Sequence, residues 1–301
     1  MSPPGRLLHG ESLDVLGTLP TGSIDLIYID PPFNTGKTRS HARITVQASA
    51  EGTRTGFGGR NYAVTQGVTR SYEDAFDDYC AWLEPRLVEA HRVLAPSGSL
   101  YLHLDYREVH YCKVMLDAVF GRDNFLNEII WAYDYGGRGK RRWPAKHDSI
   151  LFYARQAGSH VFNLDEIGRI PYMAPGLVTP EKAARGKLPT DTWWQTIVPT
   201  NGSERTGYPT QKPLAIVSRI VKASSPPGGL VLDFFCGSGT TAVAAHQAGR
   251  RFIAADQSDE AIRVTRDRLA GLGIRYGLEE VSAASGLAAD GTPGNRQEKS
   301  P

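Results

Sequence analysis

The chain has 301 residues, 41% of them hydrophobic, and a formal net charge of +2. That is enough for a large α/β domain, and too nearly neutral for the whole surface to be a polyanion-binding face. No apolar run approaches the roughly 20 residues that a membrane-spanning helix needs, and the opening MSPPGRLLHG lacks the charged and apolar regions of a signal peptide. Cys80, Cys112 and Cys236 are odd in number, widely spaced and without metal-ligand spacing, which predicts reduced thiols, no metal centre and a cytoplasmic protein.

In chain order, RLLH (6–9) reads as a strand, Ser12 to Leu19 as a short helix, and IDLIYI (24–29) as a buried strand. The last of these should stop at Asp30, because Pro31 and Pro32 have no N–H for a sheet ladder. A stiff loop carrying one acid and one phenyl ring, Phe33, follows a strand end, which marks it as a candidate binding site. Residues 38–70 hold five glycines and five arginines (39, 43, 54, 60, 70) against the single acid Glu51. They predict a long basic mobile loop without helical or strand period. From Tyr72 to Leu94 the spacing is helical, with Pro85 starting a second helix.

The strand GSLYLHLD (98–105) is followed by a helix over 106–120 closed by Gly121. Strands at 127–133 and 149–155 flank a connection that crowds Arg138, Lys140, Arg141, Arg142 and Lys146 around Trp143, a local patch suited to phosphates. Residues 156–207 predict a small irregular lobe. In it, Trp193 and Trp194 read as core before they read as DNA contacts. Order returns with a helix over 212–224, the strand LVLDFF, the loop CGSG, a helix, the strand RFIAAD and a helix over 259–272. Strands alternating with helices predict a doubly wound, mostly parallel α/β sheet. The tail 281–301 predicts disorder.

Asp233 at a strand end, Gly237 and Gly239 in a tight turn, and Asp256 at the next strand end form a nucleotide-type pocket, with Asp256 placed for ribose hydroxyls. On these residues alone a nicotinamide oxidoreductase competes. The loop DFFCGSG lacks the third glycine of the dinucleotide fingerprint, however, and a carboxylate such as Asp233 attracts a cationic amino acid and repels a pyrophosphate. Both points favour S-adenosylmethionine.

IDPPFNTG, GSLYLHLD, KRRWPAKHDSILFYAR, GYPTQKP and LVLDFFCGSGTTAVAA occur in this order. Together, over residues 6–272, they resemble the beta group of DNA amino-methyltransferases, in which the catalytic motif precedes the cofactor motif. The resemblance implies a Rossmann-like methyltransferase domain over 1–280, with a catalytic half at 6–155 and a cofactor half at 208–272. The interval 156–207 is then the candidate target-recognition insertion. It implies cofactor contacts from Asp233, Phe235, Gly237, Gly239, Thr240 and Asp256, completed by Thr210, Gln211 and Lys212. AAD at 254–256 departs from the group's usual Gly and glutamate, which puts the ribose reach in doubt.

For the catalytic motif, the Asp30 carboxylate and the Pro31 carbonyl are acceptors for the two N–H bonds of an exocyclic amino group, held by Pro31 and Pro32. Phe33 is the stacking platform for a base flipped from duplex DNA. Carbon-5 methylation needs a cysteine thiolate in a catalytic loop, and none of the three cysteines lies in one. An Asp at the start of the tetrad is, by resemblance, more typical of adenine than of cytosine-N4 enzymes. The expected protein is a site-specific adenine methyltransferase of a restriction-modification type. The resemblance allows a homodimer and a cognate restriction endonuclease as partners, neither of which the sequence decides, and a non-catalytic DNA-binding module of the same fold is the alternative from another class.

Overall fold

The computed structural model describes residues 4–34, 37–48, 54–55, 61–74, 76, 78–134, 137, 139–199 and 201–282, with 37–48, 54–55 and 61–74 described by their backbone. The strands are β1 (Gly5–His9), β2 (Ile24–Ile29), β3 (Lys37–Ala48), β4 (Arg54–Thr55), β5 (Asn61–Asp74), β6 (Leu94–Leu104), β7 (Phe125–Ala132), β8 (His147–Ala154), β9 (Thr192–Trp194), β10 (Leu230–Asp233), β11 (Arg251–Asp256) and β12 (Gly277–Glu280). The helices are α1 (Ser12–Gly17), α2 (Tyr79–Val93), α3 (Val109–Phe120), α4 (Pro180–Arg185), α5 (Leu214–Ser224), α6 (Thr240–Gln247) and α7 (Asp259–Gly271).

Nine strands form one sheet in the order β12-β1-β11-β10-β2-β6-β8-β7-β9. From β12 to β6 every pairing is parallel; β6-β8 and β8-β7 are antiparallel. Alternate residues of each strand face opposite layers. Ile27, Ile29, Leu100 and Leu102 pack with Val15, Leu83, Leu87 and Leu116 of α1 to α3. Leu26, Tyr28 and Tyr101 pack with Val217, Val221, Val243 and Ile262 of α5 to α7. Burial on both faces explains why the central strands read as continuous apolar runs, each fully buried Leu or Ile contributing about 1.5–3 kcal/mol.

Three expectations meet a different structure. Pro85 lies inside a single helix, α2, rather than opening a second one. Leu83, Leu87, Ala90 and Val93 are all buried on the same side, and that burial outweighs the lost N–H. Where an irregular loop was expected, the described backbone of 37–48, 54–55 and 61–74 forms a separate three-stranded antiparallel sheet, β3-β5-β4, with Lys37 paired to Asp74 at its root. Its Thr, Val, Ile and Tyr content supports strands, and the interspersed glycines and arginines masked that period. Residues 156–207, expected as an irregular lobe, also contribute β9, which pairs in parallel with β7 at the sheet edge. Of the tail, Val281 still bonds His9 through its N–H (2.9 Å); residues 283–301 lie outside the described residues, as do the basic positions 43 and 70 in their side chains. No helix among the described residues is long and apolar enough to cross a membrane.

Candidate active site

β2 and β10 are hydrogen-bonded neighbours, with Leu26 opposite Val231 and Ile27 opposite Leu232. From β2 the sheet continues to β6 on one side, and from β10 to β11 on the other, so the strand order reverses between them. A crevice opens beyond the carboxyl ends of strands at such a point. Asp30 and Asp233, distant in sequence, both line this one cavity of about 380 Å³, together with Phe33, Phe235, Thr240 and Asp256.

Asp30 leaves β2 into the proline pair, and its Oδ2 contacts the Lys212 ammonium. Its Oδ1 is buried and has no partner among the described residues, which leaves one acceptor in the cavity wall unused. Phe33 packs 5.9 Å from the His103 ring, with the Lys212 ammonium 4.8 Å from its centroid. Beneath it runs a buried polar chain. The Tyr28 hydroxyl meets His103 Nδ1 at 2.8 Å, His103 Nε2 meets Asp148 Oδ2 at 3.2 Å, and the Tyr133 hydroxyl donates to Asp148 Oδ1 at 3.0 Å. Burial alone raises the Asp148 pKa; the His103 hydrogen bond and charge, the Lys212 charge and the Tyr133 bond outweigh it and hold the carboxyl below its ordinary value.

The glycine loop is held by its own carboxylates. Asp233 accepts from the Phe235 N–H (3.0 Å) and the Thr241 hydroxyl (2.5 Å). Burial pushes its carboxyl up to about 7, and the charges of Asp30 and Asp256 add to the rise. Asp256 accepts from the N–H groups of Gly237 (3.0 Å) and Ser258 (2.9 Å), and burial raises its pKa as well. Gly239 caps α6 at φ +72°, and a methyl group there meets the Thr265 side chain at 2.8 Å. Its task is close packing against α7, and it does not line the cavity. At Gly237, φ +49°, a methyl group meets the Tyr208 ring at 3.0 Å. The Cys236 thiol is buried, and burial pushes it well above its ordinary pKa.

The three residues of YPTQKP separate. Thr210 lines the cavity. Gln211 shapes the preceding loop, accepting from Thr206 N–H and Oγ1 (2.8 and 2.9 Å) and donating to the Glu204 carbonyl (2.7 Å). Lys212 also lines the cavity, its carbonyl accepting from the Thr240 hydroxyl (3.3 Å) while its ammonium reaches Asp30 of the catalytic motif. Sequence reasoning missed Glu11, Ser12, Phe76, Trp82 and Tyr208 in the cavity wall. The aromatic spacing of Phe76, Tyr79 and Trp82 was a signal; their rings lie 4.5–5.6 Å apart.

In the basic connection, Lys140, Arg141, Arg142 and Trp143 are exposed, and Lys146 is half-buried. Arg142 reaches the Tyr106 hydroxyl at 3.4 Å, just past the end of β6. Arg138 lies outside the described residues. Trp193 is core, with the Arg219 guanidinium 4.7 Å from its ring, whereas Trp194 is 76% exposed.

Residues 24–267 match the family model of N6 and N4 methyltransferases, described as DNA methylase. The DNA adenine methyltransferase YhdJ of Escherichia coli is 30% identical over 288 residues, covering 92% of this chain and 86% of the relative. The type II methyltransferase M.HpaI of Haemophilus parainfluenzae is 30% identical over 264 residues, covering 88% and 74%. Among solved structures, the M1.HpyAVI–SAM complex superposes with a TM-score of 0.56 at 19% identity over 88% of this chain and 98% of that one. The cytosine-N4-specific PvuII methyltransferase superposes with 0.59 at 15% identity over 92% and 97%. On these matches the chain belongs to the N6/N4 family of DNA methylases.

Proposed function

We propose that this DNA methylase transfers a methyl group from S-adenosylmethionine to the exocyclic amino group of adenine in duplex DNA, after the base has left the stack. The observation that carries this reading is the unpartnered Asp30 Oδ1 in the same cavity as the glycine loop. The amino lone pair is delocalised into the ring. An acceptor on each N–H, Asp30 Oδ1 and the Pro31 carbonyl, favours the pyramidal nitrogen, and Phe33 stacks on the base for roughly 1–3 kcal/mol.

The residues fit the cofactor. Gly237 leaves room beside Tyr208 that a side chain fills, and Asp233 and Asp256 offer carboxylates to an ammonium and a ribose. Bound there, S-adenosylmethionine supplies an electrophilic methyl group on a sulfonium centre. Asp30 is placed to take the proton that the amino nitrogen would shed on methylation. The basic connection 138–146 and the lobe 156–207 are assigned to DNA, the first to phosphates.

Adenine rests on the Asp that opens the catalytic tetrad and on the adenine specificity of the named YhdJ relative. The second reading, cytosine-N4, rests on the fold shared with the PvuII enzyme and on an acceptor pair that serves either amino group. Incubating unmodified genomic DNA with the protein and S-adenosylmethionine, then locating the modified base by single-molecule sequencing, decides between them. Methyl-adenine is expected; methyl-cytosine supports the second reading, and unmodified DNA removes both. The proposal extends to a homodimer, tested by sedimentation. A cognate restriction endonuclease, in keeping with the type II naming of M.HpaI, is tested by challenging methylated DNA with the candidate nuclease.

A further inference from the structure

Asn34, directly after Phe33, is the one non-glycine residue with positive φ (53°) among the described residues. Asn tolerates this left-handed conformation better than most side chains, yet the conformation still costs free energy and persists only where its surroundings hold it. Here the side chain makes two bonds in opposite directions. Nδ2 donates to Glu108 Oε1 at 2.8 Å, and Oδ1 accepts the Phe76 N–H at 3.0 Å. Glu108 precedes α3 as its cap residue without making a side-chain cap bond, so its carboxylate is available to Asn34.

The chain positions give these bonds their meaning. Asn34 lies three residues before β3 and Phe76 two residues after β5, and Lys37 pairs with Asp74 at the root of that sheet. The amide of Asn34 therefore closes the base of the whole ribbon and fixes it to α3. Phe76 in turn packs 4.5 Å from Trp82, and Trp82 lies 5.7 Å from Phe235 of the glycine loop. The sequence over 38–70 holds five arginines against the single acid Glu51, with Lys37 before it and Glu73 and Asp74 after it, a composition drawn to phosphates.

We propose that Asn34 is a positioning residue that ties the root of the basic ribbon to the catalytic loop, so that engagement of the ribbon with duplex DNA sets the placement of Asp30 and Phe33. The proposal rests on the DNA reading above. It separates two steps: DNA is held by the basic residues, whereas Asn34 governs what the catalytic loop does once DNA is held. Asn34→Asp keeps the acceptor for Phe76 but sets a carboxylate against Glu108. In the double variant Asn34→Asp/Glu108→Gln the bond returns with donor and acceptor exchanged.

The test measures methyl transfer from tritiated S-adenosylmethionine to unmodified genomic duplex DNA, with cofactor affinity by calorimetry. Asn34→Asp is expected to lower kcat at least about tenfold, with half-saturating DNA within about threefold and cofactor affinity within about twofold of wild type. The double variant is expected to recover kcat at least about fivefold. Glu108→Ala, remote from the reacting atoms, provides the same loss if Asn34→Asp does not fold. A kcat within twofold of wild type in the folded variants, or a loss the double variant does not recover, overturns the proposal. A wild-type protein that transfers nothing overturns the functional reading and this proposal with it; a wild type that transfers beside unaffected variants overturns this proposal alone.

Discussion

The Lys212 ammonium contacts Oδ2 of Asp30 across 182 residues of sequence, while Oδ1 of the same carboxylate stays buried and unpaired. The two side chains are 10% and 14% exposed, so the pair lies largely out of water. Replacing Lys212 by Met strands the Asp30 charge and is expected to cost about 3 kcal/mol of stability, as for other broken buried pairs. Replacing Asp30 by Asn as well restores most of it. Chemical denaturation of wild type, Lys212→Met and the double variant measures both steps; a single variant as stable as wild type contradicts the pairing.

Asp30→Asn alone keeps the shape of the side chain but turns one acceptor into a donor. Methyl transfer is expected to fall about 10²–10³-fold, the usual cost of removing one preorganised polar group. Cofactor binding, proposed above for the glycine loop, is expected within a few-fold of wild type. Steady-state kinetics with calorimetry separates the two.

The contact proposed between Asp233 and the cofactor's ammonium predicts that cofactor affinity depends on pH. A cationic ligand group binds its ionised form, and burial holds its carboxyl near 7 in the free protein. Affinity should therefore fall about tenfold per pH unit below 7 and level off above it. Stability follows the opposite sign to that of a paired carboxylate. Between its ordinary 3.8 and its folded value of about 7, the folded state keeps a proton that the unfolded state has lost, so Asp233 costs stability as pH rises through that window. Asp233→Asn should be relatively more stable than wild type at pH 8 than at pH 5, while losing the cofactor. Calorimetric titration and melting at both pH values check this.

The two glycines of CGSG should fail differently. Gly239→Ala forces a methyl group to 2.8 Å from Thr265 at φ +72°, and is expected to destabilise the protein by about 1–3 kcal/mol. Gly237→Ala meets the Tyr208 ring in the cavity wall, and should lose more cofactor affinity than stability. Melting curves with and without S-adenosylmethionine distinguish them.

Lys140, Arg141 and Arg142 are exposed on one connection. Their joint replacement by Ala should weaken DNA binding at low salt and reduce the slope of log affinity against log salt by about 0.9 for each phosphate that is no longer neutralised. Fluorescence anisotropy over a salt series reads this directly; an unchanged slope assigns the phosphates to other side chains.

The catalytic and glycine-loop motifs were legible because each joins a strand end to residues with backbone constraints, Pro31 and Pro32 in one case, Gly237 and Gly239 in the other. Their convergence followed from parallel strands presenting carboxyl ends on one side. The pairing of Lys212 with Asp30 was not legible, since an ion pair between distant segments leaves no local period. For the same reason Tyr28, His103 and Asp148 read as separate residues on three strands, and their alignment exists only in the register β2-β6-β8. The ribbon was missed because its apolar alternation is weak, and β12, with the sequence GLEE, carries almost no strand signal beyond the pairing that β1 offers it.

The position of β1 has a consequence for how the protein folds. This first strand has no neighbour in its own half of the chain; it lies between β11 and β12, with His9 opposite Asp256 and the Gly10 N–H bonded to the Asp256 carbonyl at 3.1 Å. Gly5–His9 is therefore paired only when Arg251–Asp256 and Gly277–Glu280 are in place, and Asp256, the acid proposed for the ribose, is fixed only when they meet. Pairing over so long a loop is slow to form. The proposed cofactor pocket is thus closed by contacts between widely separated segments, and occupancy of that pocket would report that the long-range pairing of the sheet has formed.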